Sequence, residues 1–122
     1  MILVDSSGWI EYLAARPKAD EFARYILGDE ALLASTIQIY EVYKVVRRDI
    51  SEERAVESVA ALRSTTVVPL DESLALEAAD ISLEQGLAMA DAIILATAKR
   101  QRAQIVTGDA DFEGLPGVTL IR

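Results

Sequence analysis

The chain opens with four apolar residues, Met1-Ile-Leu-Val4, and turns polar at once in Asp5-Ser6-Ser7-Gly8. Such a run is too short for a helix, and its β-forming side chains predict a buried strand. Ser6 or Ser7 reads as the cap of a helix reaching Ala15, where Arg16-Pro17 ends it. A second helix covers about Lys18 to Leu27, up to the Gly28-Asp29 turn. Ala31 to Ala34 predicts a second strand, after which Ser35 or Thr36 caps a helix carrying Ile37, Tyr40, Val45 and Val46. The break Asp49-Ile50-Ser51-Glu52-Glu53 signals a further helix from Glu52 to Arg63.

Thr66 to Leu70 is rich in β-branched residues and predicts a third strand. Asp71 or Ser73 caps a helix from Leu74 to about Gln85, closed by Gly86, and Ala90 to Arg102 forms the next helix. Its last turn holds Lys99, Arg100 and Arg102, which suit the negative helix pole. Ile105-Val106-Thr107 predicts a fourth strand, a loop runs from Gly108 to Gly117, and Val118 to Ile121 predicts a fifth. Strands and helices alternate throughout. This is the pattern of an α/β fold, a five-stranded parallel sheet with helices on both faces and ligands at the carboxyl ends of the strands.

With 122 residues, 52% of them hydrophobic, the chain is expected to form one domain over residues 1–122 with a full core. No apolar run approaches the ~20 residues of a membrane span, and no basic segment leads an apolar one at the start. A cytoplasmic location without membrane contact is the expectation. Cys, His and Asn are all missing, which excludes disulfides, thiol nucleophiles, Cys/His zinc sites and imidazole bases. Carboxylates, hydroxyls and cations are left for chemistry. The net charge of −8 is unlike that of a nonspecific nucleic-acid binder and suits a basic partner.

Acids such as Glu52, Glu53, Glu57, Asp20 and Glu21 read as solvated helix surface. Five others do not. Asp5 follows the first strand directly, at the edge where α/β folds bind ligands, although it could also be a plain helix cap. Glu41 lies four residues after Ile37 and four before Val45, inside an apolar stripe, with a place at the stripe's edge or pairing to Lys44 as the alternatives. Asp91 shares a face with Leu87, Ile94, Leu95 and Ala98, or else caps its helix. Asp109 and Asp111 follow the fourth strand in a stretch that also reads as a polar turn. A calcium-loop reading of that stretch fails, because Leu120 stands where a bidentate Glu is required.

A parallel sheet would gather all five acids at one edge, concentrating there five of the eight net negative charges. Without a counter-ion some would have to bind protons; a divalent cation removes the conflict. All-oxygen ligands favour Mg²⁺ or Mn²⁺, and such an ion can stabilise charge on a phosphoryl oxygen and activate water. The expected reaction is metal-assisted phosphodiester hydrolysis.

The segments VDSSGWIEYL, STIQIYEVYKV, MADAIILATAKR and IVTGDADF together resemble the PIN domain, specifically the VapC-type toxins of bacterial and archaeal toxin–antitoxin pairs. The resemblance spans the whole chain. It implies a three-layer α/β/α sandwich and a Mg²⁺- or Mn²⁺-dependent endoribonuclease. Asp5, Glu41, Asp91 and Asp109 match the acidic quartet, Asp111 a less regular fifth acid, and Ser6 and Thr107 hydroxyls that support them. Asp5 and Asp91 are the preferred direct metal ligands; Glu41 and Asp109 bind a second metal or orient water. The resemblance further implies a homodimer, a VapB-type antitoxin covering the cleft, contact with operator DNA through that antitoxin only, and RNA as substrate.

Lys44, Arg47 and Arg48, and Lys99, Arg100 and Arg102, are candidates for gripping phosphates, with complementing a helix C-terminus as the favoured role. Trp9, Tyr12, Tyr40 and Tyr43 read as core or interface before base-stacking platforms. Competing readings are a non-catalytic receiver domain phosphorylated at Asp71, a PIN-like binding domain, and a housekeeping RNA-processing PIN nuclease. Receivers want paired acids after the first strand, where Asp5-Ser6 stands instead.

Overall fold

The computed structural model describes every residue from Met1 to Arg122. Its strands are β1 (Ile2–Val4), β2 (Leu32–Ser35), β3 (Thr66–Val68), β4 (Gln104–Thr107) and β5 (Val118–Leu120), all parallel in the order β3-β2-β1-β4-β5. Between them run α1 (Ser6–Leu13), α2 (Ala19–Ile26), α3 (Thr36–Asp49), α4 (Glu52–Arg63), α5 (Glu72–Gln85) and α6 (Met89–Gln101). A 3₁₀ turn, Ala110–Phe112, interrupts the loop before β5.

Alternate strand residues point to opposite faces, and the two cores divide accordingly. Leu3, Leu33 and Ile105 pack with Leu74, Ala78 and the buried run of α6; Ile2, Val4, Ala34 and Val106 pack with Trp9, Phe22, Val42 and Leu62. The result is an α/β/α sandwich with α5 and α6 on one face and α1 to α4 on the other. The strand order reverses between β1 and β4, so the ligand crevice of such a sheet falls at the carboxyl ends of those two strands. The same order separates the chain from receiver domains, whose sheets run 2-1-3-4-5.

Several element ends differ from the sequence expectation. Asp5 caps α1 in place of Ser6 or Ser7, so the cap reading that its position also allowed holds: three capping-competent residues stand in a row, and the one directly after the strand takes the role. Helix α1 stops at Leu13, short of Ala15, and β3 stops at Val68, before Pro69, which cannot donate to a ladder. Asp71 caps α5, which begins at Glu72 rather than Leu74. Ala88 caps α6, leaving Asp91 inside the first turn and Leu87 outside the helix. Residues Ala92 to Ala98 are buried without interruption, so α6 has no polar face for most of its length. Asp91 is unusual for that reason, not for sharing one apolar stripe.

Gly8 lets α1 lie close against the sheet beneath the crevice. A Cβ there would stand 2.5 Å from the Phe22 ring and 2.7 Å from Val4.

Candidate metal centre

The register of the central strands sets the site. Val4 pairs with Val106, and the Asp5 amide continues the ladder by donating to the Val106 carbonyl at 2.8 Å. Asp5 and Thr107 are thereby brought side by side. The Thr107 hydroxyl donates to Asp5 Oδ2 at 2.8 Å, the Ser7 hydroxyl donates to the same oxygen at 3.1 Å, and the Ser6 amide donates to Oδ1 at 2.7 Å. Asp5 is only 4% exposed. Burial pushes its carboxyl above the usual range, against the pull of these bonds and with a further push from Asp109.

Glu41 reaches the site from α3. Ser35 and Gln38 form a capping box at the start of that helix, and the buried Gln38 amide also donates to the Val4 carbonyl at 2.7 Å. This ties the helix start to the end of β1. Glu41 then lies over α1, where the Ser6 hydroxyl donates to Oε1 at 2.7 Å. Burial raises the Glu41 carboxyl, the Ser6 bond lowers it, and the Asp5 charge raises it. The alternative partner Lys44 turns instead to Tyr40, its Nζ 5.5 Å from the ring centroid.

From β4 the chain passes into Asp109, which caps the 3₁₀ turn: Oδ1 accepts from the Asp111 amide at 2.9 Å, and the Asp109 amide donates to Thr107 Oγ1 at 2.9 Å. Thr107 thus serves two acids through one hydroxyl. Asp91 comes up beside this turn from α6, and Asp91, Asp109 and Asp111 each bring a carboxylate oxygen within 4.8 Å of the others. Asp91 is pushed up to about 7, first by burial and then by the charges of Asp109, Asp5, Asp111 and Glu41. No hydrogen bond offsets that push.

None of the molecule's ion pairs involves any of these five acids. A cluster of oxygen donors with uncompensated negative charge and no nitrogen or sulfur ligand fits a hard divalent cation such as Mg²⁺ or Mn²⁺. Asp91, Asp109 and Asp111 are the residues placed to share one. Asp5 has three of its roughly four acceptor positions filled by protein donors, which leaves it one for an ion. Asp91, Asp109 and Asp111 are thus close enough to one another to share an ion, and Asp5 keeps one acceptor position open.

The other sequence candidates separate. Arg100 is engaged by Ser73 at 2.9 Å and Glu77 at 2.6 Å, and Arg102 ends α6 in a left-handed conformation. Trp9 is buried and meets the Tyr12 ring edge-on, whereas Tyr40 is 60% exposed. Sequence reasoning passed over Ser7 and Gln38. The serine-x-x-glutamine spacing of a capping box was the available signal for Gln38.

The chain belongs to the PIN domain family, whose model matches residues 2–118. Among solved structures it is similar to a toxin–antitoxin complex from Klebsiella pneumoniae, with 27% identity, TM-score 0.82, and 98% of this chain and 96% of that one covered. It shares its fold with VapC20 of Mycobacterium tuberculosis, a toxin that cleaves the sarcin–ricin loop, at 20% identity, TM-score 0.81 and 97% coverage of both chains. DNA-bound VapBC from Salmonella typhimurium matches at 20% identity and TM-score 0.76, covering 98% of this chain and 96% of that one. No curated protein sequence matches the chain.

Proposed function

We propose that this chain is a Mg²⁺- or Mn²⁺-dependent endoribonuclease and the toxin of a toxin–antitoxin pair. The observation that carries the reading is the meeting of Asp5, Glu41, Asp91, Asp109 and Asp111 at the switch point of the sheet, with no cation of the protein among them. A divalent ion bound there supplies positive charge for a phosphoryl oxygen and lowers the pKa of water. The chain's own part is orientation. Thr107, Ser6 and Ser7 fix Asp5 and Glu41, and the capped turn fixes Asp109 beside Asp91.

The toxin–antitoxin assignment draws support from the neighbours' own assemblies. On this reading the chain works in the cytoplasm as a single-domain protomer of a homodimer. A basic segment of a VapB-type antitoxin silences it by entering the acidic cleft in place of the metal, and contact with operator DNA passes through that antitoxin.

The test is cleavage of labelled single-stranded RNA by the purified chain. Internal cuts should appear with Mn²⁺ or Mg²⁺ and vanish with EDTA, and calorimetry should register Mn²⁺ uptake. Metal-independent cleavage, or no uptake of Mn²⁺, would overturn the proposal.

A further inference from the structure

Beside the acidic centre lies a cleft of about 340 Å³ between α1, the turn before α2, and α3. Its inner end is formed by Ser7 and Gly108, and Ser7 is the residue whose hydroxyl holds Asp5. Its outer wall carries Arg16, Lys18 and Arg48. The sequence marked only the last of these as a phosphate candidate, because Arg16 and Lys18 flank Pro17 and read as a helix break. Glu11 is the one acid on the wall.

Arg16 and Arg48 are not spent on the fold. Both reach the single carboxylate of Asp49, Arg16 at 3.0 Å and Arg48 at 2.7 Å, while remaining 40% and 63% exposed. Two guanidiniums thus share one negative charge, which leaves a net positive pair facing solvent. Arg48 also lines the neighbouring open groove on α3 with Tyr40, Tyr43, Lys44 and Arg47. Five of the chain's 12 cations therefore line two grooves that meet at Arg48, one of which reaches Ser7 and Gly108, on a protein whose net charge is −8; Lys18 also donates to the Ile121 carbonyl at 3.3 Å and Arg47 lies 3.9 Å from Glu52.

We infer that this cleft is a phosphate subsite for single-stranded RNA, in which Arg16, Lys18 and Arg48 bind the phosphodiester next to the one being cut. The inference rests on the nuclease reading and adds where the strand lies. The cleft's volume is at the low end for ligand sites (about 300–1,000 Å³), which suits one sugar-phosphate unit. Guanidinium pairs suit phosphate oxygens because their donors form a planar fork. In this arrangement Asp49 is the resident anion that incoming phosphate displaces.

That competition gives a test in which two substitutions of one cluster move in opposite directions. Binding of a labelled RNA oligonucleotide is followed by fluorescence anisotropy in EDTA, so that no cleavage intervenes. Arg48→Ala and Lys18→Ala should each weaken binding about tenfold at low salt and reduce the salt slope by about one. Asp49→Asn, which frees both arginines, should tighten binding about threefold or more. A purely structural cluster would make Arg48→Ala and Asp49→Asn change melting temperature alike and leave the salt slope alone; that result overturns the subsite. So does the absence of wild-type binding at low salt, or displacement of the RNA by an acidic peptide of equal charge at equal concentration. Opposite shifts without any metal-dependent cleavage would keep the subsite and reject the nuclease. Cleavage with unchanged KM and salt slope in the variants would do the reverse.

Discussion

Asp5 and Asp91 carry the same side chain at the same end of the sheet, and the fold surrounds them in opposite ways. Asp5 is almost fully buried and accepts from Ser6, Ser7 and Thr107, bonds that offset part of its desolvation within the chain. Asp91 is half-buried, accepts no hydrogen bond and faces four other acids. Its position is unfavourable until something positive arrives. One half of the site is held by the chain's own donors, and in the other half Asp91 has none.

Replacing each residue by its amide separates the two halves. Asp5→Asn and Asp91→Asn should both lower metal-dependent RNA cleavage at least about a thousandfold, the scale of several kcal/mol of lost charge stabilisation. Their stabilities in EDTA should move in opposite directions. Asp5→Asn loses charge-assisted bonds and should cost about 1–3 kcal/mol in urea unfolding. Asp91→Asn removes a repelled charge and should raise the melting temperature by a few degrees. Shifts of the same sign would remove the contrast between the two halves.

A milder change probes the link between them. Thr107 donates to Asp5 and accepts from the Asp109 amide, so Thr107→Val deletes both contacts with almost no change of shape. Mn²⁺ affinity measured by calorimetry should fall about 10- to 100-fold, the range for lost ligand-orienting contacts. Stability should fall by about 1–3 kcal/mol, because the Asp5 oxygen and the Asp109 amide each lose a partner. Unchanged metal affinity would mean that the turn is placed by its own backbone and that the hydroxyl is dispensable.

How far such a site can be read from sequence depends on what each signal encodes. Asp5 was legible because a four-residue apolar run fixes a strand end, and in a parallel sheet strand ends are where ligands bind. Glu41 was legible because a charge interrupts an otherwise apolar helical stripe. Asp91 was legible because apolar residues surround it in the chain, on its own face and beside it, and Ala92 to Ala98 are indeed buried without a break. The closeness of Asp91, Asp109 and Asp111 depends on a 3₁₀ turn that no periodicity reveals. The Arg16–Asp49–Arg48 cluster was invisible for another reason. Arg48 and Asp49 are chain neighbours, but Arg16 lies 33 residues away from Asp49 and joins them only where the turn after α1 meets the end of α3.

The uncompensated half also makes stability depend on pH. In the metal-free chain the Asp91 carboxyl titrates at about 7, against an ordinary value of 3.8, so over that window the folded state binds the proton more tightly than the unfolded one. The stability this contributes is fully present below about pH 4 and is lost as pH rises through about 7. The raised carboxyls of Asp5 and Glu41 act in the same direction. Asp49, which its arginines hold below the usual range, matters only at lower pH. Melting temperature in EDTA should therefore fall by several degrees between about pH 5 and about pH 8. Mn²⁺ should restore it at the upper end, and Asp91→Asn should flatten the profile. A flat wild-type profile would place Asp91 in water rather than in a shared site.

The smallest expected effect sets the boundary of the positive surface. Arg100 and Arg48 are both exposed arginines near the C-terminal ends of helices, but Arg100 meets Ser73, Glu77 and Asp71 and so fastens the last turn of α6 to the start of α5. Its charge is offset by two carboxylates, whereas Arg48 and Arg16 share one. Solvent-exposed ion pairs contribute little, so Arg100→Ala should lower the melting temperature by only about 1–3 °C. It should leave RNA affinity and its salt dependence unchanged. If Arg100→Ala instead weakened RNA binding as strongly as Arg48→Ala, the attraction would come from scattered cations. The ordered path from α3 through the cleft to the five acids would then lose its support, although the acids themselves would still be ready for a metal.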